Sequence, residues 1–149
     1  MKAIRKTEYR KYSERGVREL CHAVKDNDLQ AINEMAEYFI GLGILDTASV
    51  IIPAPGHKGN ALYTKTIAEI VCNKTGAKVM DILRCAPHET LYSQKKRGVI
   101  NTPRFYLSGN LKFQGNYYFL DNVYDTGMTY HSAVKLFGKG LNPLIYAKT

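Results

Sequence analysis

From about residue 46 onward, short β-branched apolar runs alternate with stretches of helical period. With a helical first third, this predicts an α/β fold whose mainly parallel sheet is flanked by helices. The clearest runs are 48–52, 117–120 and 143–147, and a turn rich in acid, hydroxyl and glycine follows the second. The 149 residues, 45% of them apolar, suit one domain with one substantial core. We divide it into a helical segment over 1–45 and an α/β core over 46–149.

Val17, Leu20, Cys21 and Val24 fall at i, i+3, i+4 and i+7, one face of a first helix. Asn27 with Gln30 three residues on has the form of a capping box and starts a second, whose apolar face is Leu29, Ile32, Met35, Ala36 and Phe39. Gly41 and Gly43 supply the stop. The run 48–52 reads as a buried strand ended by Pro53 and Pro55. A helix over 60–73 turns Tyr63, Ile67, Ile70 and Val71 inward, and Gly76 closes it before a strand over 78–83, giving a βαβ unit.

Residues 87–103 carry Lys95-Lys96-Arg97-Gly98 and few apolar side chains, so they read as a long exposed, flexible loop. A hairpin is expected over 105–113 with its turn at Ser108-Gly109-Asn110. The strand 117–120 then leads through a short polar loop into a helix with Tyr130, Ala133, Val134 and Phe137 on one face. Gly138 and Gly140 end that helix, and 143–147 makes the last strand.

A net charge of +8 makes the surface attractive to polyanions without choosing among nucleic acid, membrane and phosphorylated small molecules. No run approaches the roughly twenty apolar residues of a membrane span, and residues 1–6 lead into no hydrophobic signal core. No membrane partner and a cytoplasmic location are therefore the expectations. Cys21, Cys72 and Cys85 lack CxxC spacing and fit reduced thiols. Cys85 and His88 have C-x-x-H spacing without a second close pair, so no direct protein metal site is expected there. His22 and His131 read as ordinary helix residues and His88 as a loop residue.

The chemistry concentrates in Phe119-Leu120-Asp121-Asn122-Val123-Tyr124-Asp125-Thr126-Gly127-Met128-Thr129. Acids at a strand's carboxyl end and a hydroxyl-glycine turn at a helix's amino end are what a phosphosugar needs. First-turn N–H groups and the helix dipole hold a phosphate, Gly127 lets the main chain approach, and Thr126 and Thr129 add hydroxyls. Asp121 is placed to accept hydrogen bonds from sugar hydroxyls. The plainer reading is a turn that only caps the helix.

This segment resembles the phosphoribosyl pyrophosphate (PRPP) signature of the type I phosphoribosyltransferases: a strand, two acids, two apolar residues, then D/T-T-G-x-T. Val50 to Asn60 resembles the family's pyrophosphate loop, with Gly56, His57, Lys58 and Gly59 at its tip, and looks most like the ComF branch. Arg84, Gln94, Arg97 and Asn101 resemble that branch's later positions with irregular spacing, and 144–148 its terminal strand. The likeness covers about residues 48–149. It departs where the second acid is Asn122, which hydrogen-bonds a hydroxyl but supplies no charge to an oxocarbenium-like transition state.

The resemblance implies a type I phosphoribosyltransferase-like fold, with magnesium as the cofactor, held mainly by the substrate, and PRPP and a small nitrogenous acceptor, usually a nucleobase, as partners. Asp121 and Asp125 would be catalytic, and Asn122, Thr126, Gly127, Met128 and Thr129 would bind PRPP. Lys95, Lys96 and Arg97 would close a flexible loop over the pyrophosphate, against the alternative of a solvated charge run. Asp125 stays open between a proton-transfer role near the base and a helix cap. The acceptor would be read by a hood, for which 1–45 and 105–113 are the candidates. A non-catalytic ComF-like protein in DNA uptake or regulation is the first alternative. A nucleic-acid module ranks behind it, since the chain has no helix-turn-helix, zinc-finger or RRM-type signature. A homo-oligomer is left open.

Overall fold

Apolar runs without polar alternation need cover on both faces of a sheet. The computed structural model, which describes residues 9–87, 89–98, 102–111, 114–138 and 140–149, supplies that cover with helices. In chain order the elements are β1 (Arg10–Lys11), α1 (Val17–Lys25), α2 (Leu29–Gly41), β2 (Ser49–Pro53), α3 (Tyr63–Thr75) and β3 (Lys78–Val79). There follow β4 (Leu83–Cys85), α4 (Leu91–Lys96), β5 (Phe105–Leu107), β6 (Asn116–Tyr124), α5 (Met128–Phe137) and β7 (Leu141–Lys148). The main sheet has five strands in the order β1-β7-β6-β2-β3, every pair parallel. The fold is α/β, as the alternation predicts.

One face of the sheet packs on α1, α2 and α3, in a cluster that includes Ile32, Met35, Phe39, Ile51, Ile67, Tyr118, Leu120 and Leu144. The other face carries Ile52, Phe119 and Leu141 under α5 and the small β4–β5 sheet. β2 is an inner strand, buried at all its residues, with β3 on one side and the central β6 on the other. The chain therefore leaves β2 in one direction through α3 and later returns on the opposite side. That topological switch opens a crevice beyond the carboxyl ends of β2 and β6.

Four local expectations are corrected. The second helix is capped by Asp28, whose carboxylate accepts from Ala31 N at 3.1 Å, while Asn27 takes a left-handed turn at φ 65°. The strand expected over 78–83 divides, because Asp81 turns out to meet Lys65 and Arg84, and β4 peels away from the main sheet. The hairpin expected over 105–113 gives way to an antiparallel pairing of β5 with β4, anchored where Ser108 N and Oγ donate to the Ile82 carbonyl; 112 and 113 lie outside the described residues. The loop over 87–103 contains α4, nucleated by Thr90, whose hydroxyl accepts from Ser93 N at 3.2 Å. His88 and Asn101 lie outside the described residues, so the Cys85–His88 pair and the Asn101 position have no structural counterpart here.

Candidate functional site

β6 runs four residues past the apolar 117–120 run, so Asp121 and Asn122 sit within the strand near its carboxyl end. Its ladder with β7 pairs Asp121 with Ile145 and resumes at Val123, skipping Asn122. The Asn122 N–H donates instead to Asp121 Oδ1 at 2.8 Å, a local side-chain bond that replaces a ladder bond. The buried Asn122 side chain accepts from the Tyr63 hydroxyl at 3.4 Å. Burial pushes the Asp121 carboxyl up to about 7, against the opposing pull of the Asn122 N–H and of Lys25. A desolvated carboxyl lining a cleft makes Asp121 a candidate functional residue.

The strand then meets the turn. Gly127 adopts φ 81°, and a Cβ there would collide with the Tyr124 hydroxyl and come within 3.2 Å of His131 Cδ2, so glycine is required twice over. α5 begins at Met128, whose N–H takes the Thr126 hydroxyl at 3.3 Å, and the first-turn N–H groups after it have no partner within the helix. The turn thus presents a helix amino end and the Thr126 and Thr129 hydroxyls to a cleft of about 760 Å³.

That cleft brings Asp121, Asn122, Asp125, Thr126, Gly127 and Thr129 into one wall, and α1 forms the wall facing them with Arg18, Cys21, His22 and Lys25. These α1 residues recur at i, i+3, i+4 and i+7, a stripe sharing only Cys21 with the apolar one. Tyr12 joins them, its hydroxyl 3.3 Å from His22 Nε2. His22 is therefore a cleft residue, a correction to its reading as an ordinary helix residue. Burial and the Asp121 charge push the Cys21 thiol up to about 12, and burial, Asp121 and Cys21 raise the Tyr63 phenol, so both stay protonated at the cleft floor.

Asp125 is tied down. Lys95 of α4 pairs with its Oδ2, and the Thr149 hydroxyl donates to its Oδ1 at 2.8 Å. Partial burial works to raise its pKa, but those two hydrogen bonds and the Lys95 charge outweigh it and hold the carboxyl below the usual range. In this conformation Asp125 is an anchored anion and a poor base.

Other expected site residues lie elsewhere. Gly56, His57, Lys58 and Gly59 form a tight turn after β2 that does not line the cleft; Gly59 N donates to Gly56 O, and a Cβ on Gly59 (φ 117°) would sit 2.9 Å from the Cys85 carbonyl. Lys96 stands 5.6 Å from the Tyr92 ring centroid, Arg97 pairs with Glu89 at 2.9 Å, and Met128 does not line the cleft; of the basic triplet, Lys95 alone does. Arg84 pairs with Asp81, and Gln94 donates to the Glu89 carbonyl. No protein-family model matches the chain, and no curated protein sequence does.

Sequence reasoning missed Arg18, Lys25, Tyr12, Tyr63, Tyr92 and Thr149, which also line the cleft. The signal for the α1 pair was available, since Arg18, His22 and Lys25 share one helix face. Tyr12, Tyr63, Tyr92 and Thr149 come from four distant segments and needed the fold.

Proposed function

We propose that the cleft binds Mg–PRPP and that the protein transfers its phosphoribosyl group to a nitrogen nucleophile with release of pyrophosphate. The observation that carries this reading is the convergence of Asp121, Asn122, Asp125, Thr126, Gly127 and Thr129 on one wall of a cleft beyond the carboxyl end of β6, beside the topological switch. The α5 turn takes the 5′-phosphate. Asp121 and Asn122 take the ribose hydroxyls, and the acceptor nitrogen displaces pyrophosphate from the anomeric carbon. The protein's contribution is position and charge, with no covalent intermediate.

Among the described residues no three His, Cys, Asp or Glu side chains converge as a metal cage. The donor set fits a magnesium ion that takes most of its ligands from the pyrophosphate, as that hard cation commonly does. Magnesium would offset the leaving group's charge.

One observation favours the non-catalytic alternative. With Asn122 neutral and burial raising the Asp121 pKa, the ribose wall carries less negative charge than two ionised acids would where cationic character would develop. Calorimetric titration of PRPP with magnesium and with chelator tests binding, and pyrophosphate release with a panel of bases tests transfer. Magnesium-dependent binding lost in Asp121→Ala is the expected result. Equal affinity in the two conditions would falsify the site, and binding without release would select the alternative.

A further inference from the structure

The α1 wall carries cationic groups that the PRPP motif leaves unused. Arg18 and Lys25, with His22 beside them, are exposed into the cleft, and among the described residues Arg18 and Lys25 make no ion pair, whereas the third Lys or Arg of the lining, Lys95, is engaged by Asp125. The wall lines the same cleft as Asp121, near enough that the Asp121 charge raises the Cys21 pKa and Lys25 pulls the Asp121 pKa down. A nucleophile attacking the anomeric carbon must arrive from the space between these two walls. Tyr12 and Tyr63 border that space with aromatic surface.

We propose that α1 is the acceptor-reading wall and that the acceptor is a flat nitrogen heterocycle bearing a carboxylate or comparable anionic group, held by Arg18 and Lys25. This rests on the PRPP reading of the opposite wall. Arg18 offers a planar fork matched to a carboxylate and Lys25 a mobile point charge, and among the described residues neither has an ion pair to break. A neutral base would form no charge-assisted hydrogen bond with either cation. The pyrophosphate of PRPP is the competing anion for the same wall, and the experiment separates the two.

The test titrates the full chain with two matched pairs, pyridine-3-carboxylate against pyridine-3-carboxamide and uracil-6-carboxylate against uracil, each with and without saturating Mg–PRPP. In parallel, Mg–PRPP is titrated into wild type, Arg18→Gln and Lys25→Gln. Both side chains are exposed, so these variants are expected to keep the wild-type melting temperature. The expected result is a carboxylate preference in at least one pair of about tenfold or more, the scale of a charge-assisted hydrogen bond, lost in both variants while their Mg–PRPP affinity stays within a few-fold of wild type. No carboxylate preference in either pair overturns the proposal. So does a tenfold loss of Mg–PRPP affinity in the variants, which would give the wall to pyrophosphate. Failure of wild type to bind Mg–PRPP while the carboxylate preference holds would sink the function of the opposite wall and leave this one standing.

Discussion

Asp121 is where stability and binding pull apart. Its folded pKa of about 7 lies above the ordinary carboxyl value, so the folded state prefers the protonated form. The sign follows: no penalty exists below about pH 4, and stability falls as pH rises through the window up to about 7, where the loss levels off. Asp121→Asn is expected to raise the stability of the free protein at pH 8 by about 1–3 kcal/mol, measured by urea unfolding, with little change at pH 4. An ionised carboxylate is the stronger acceptor for a hydroxyl, so under the proposed function Mg–PRPP affinity in wild type should rise with pH between 6 and 8, and Asp121→Asn should lose that dependence along with most of the binding. Asn122→Asp places a second carboxylate where Tyr63 still has an oxygen to donate to. In an active transferase it should leave PRPP affinity within a few-fold and raise kcat by about 1–3 kcal/mol of transition-state stabilisation. A lowered kcat would show that the amide suits its own acceptor. The wall around these residues was legible in sequence because its members are contiguous, from Asp121 to Thr129. Its local geometry was not, since nothing in the residue types announces that an aspartate takes its neighbour's N–H away from the ladder.

At the scale of elements, α4 is held to the turn before α5 by the Lys95–Asp125 pair, with both partners partly exposed. Such a pair contributes at most about 1 kcal/mol. Lys95→Ala should therefore leave the global unfolding midpoint nearly unchanged and still speed amide exchange across Leu91–Lys96 by up to about fivefold. Mg–PRPP should protect that segment in wild type. Exchange indifferent to both changes would remove α4 from the site. This helix also shows why part of the chain resisted reading: residues 87–103 have a loop's composition, and only Thr90 with Ser93 marks a helix start. The hairpin over 105–113 failed for a different reason. A turn-like Ser108-Gly109-Asn110 is local, whereas the partner that β5 takes, β4, is more than twenty residues earlier, and non-local pairing leaves no mark in a short window.

Across the whole molecule, the N-terminal helices and the sheet share one apolar cluster, with Met35 and Phe39 of α2 fully buried alongside Tyr118, Leu120 and Leu144. The segment 1–45 is part of the core's cover as well as a wall of the cleft. Phe39→Ala should cost about 3–5 kcal/mol in urea unfolding. A chain of residues 46–149 alone should show no cooperative transition, and one matching the full chain would make the helices a detachable accessory. The α/β order was readable because strand runs and helix periods are properties of short segments, while the crevice arises from strand order. Within α1, Val17, Cys21 and Val24 face the core, and Arg18, His22 and Lys25 face the cleft, one residue further round at each turn. Two messages are thus interleaved on the same nine residues, with Cys21 alone belonging to both. Positions 18 and 25 are exposed and make no ion pair among the described residues, so a lineage, or a designer, can redraw that wall of the cleft with little consequence for the fold.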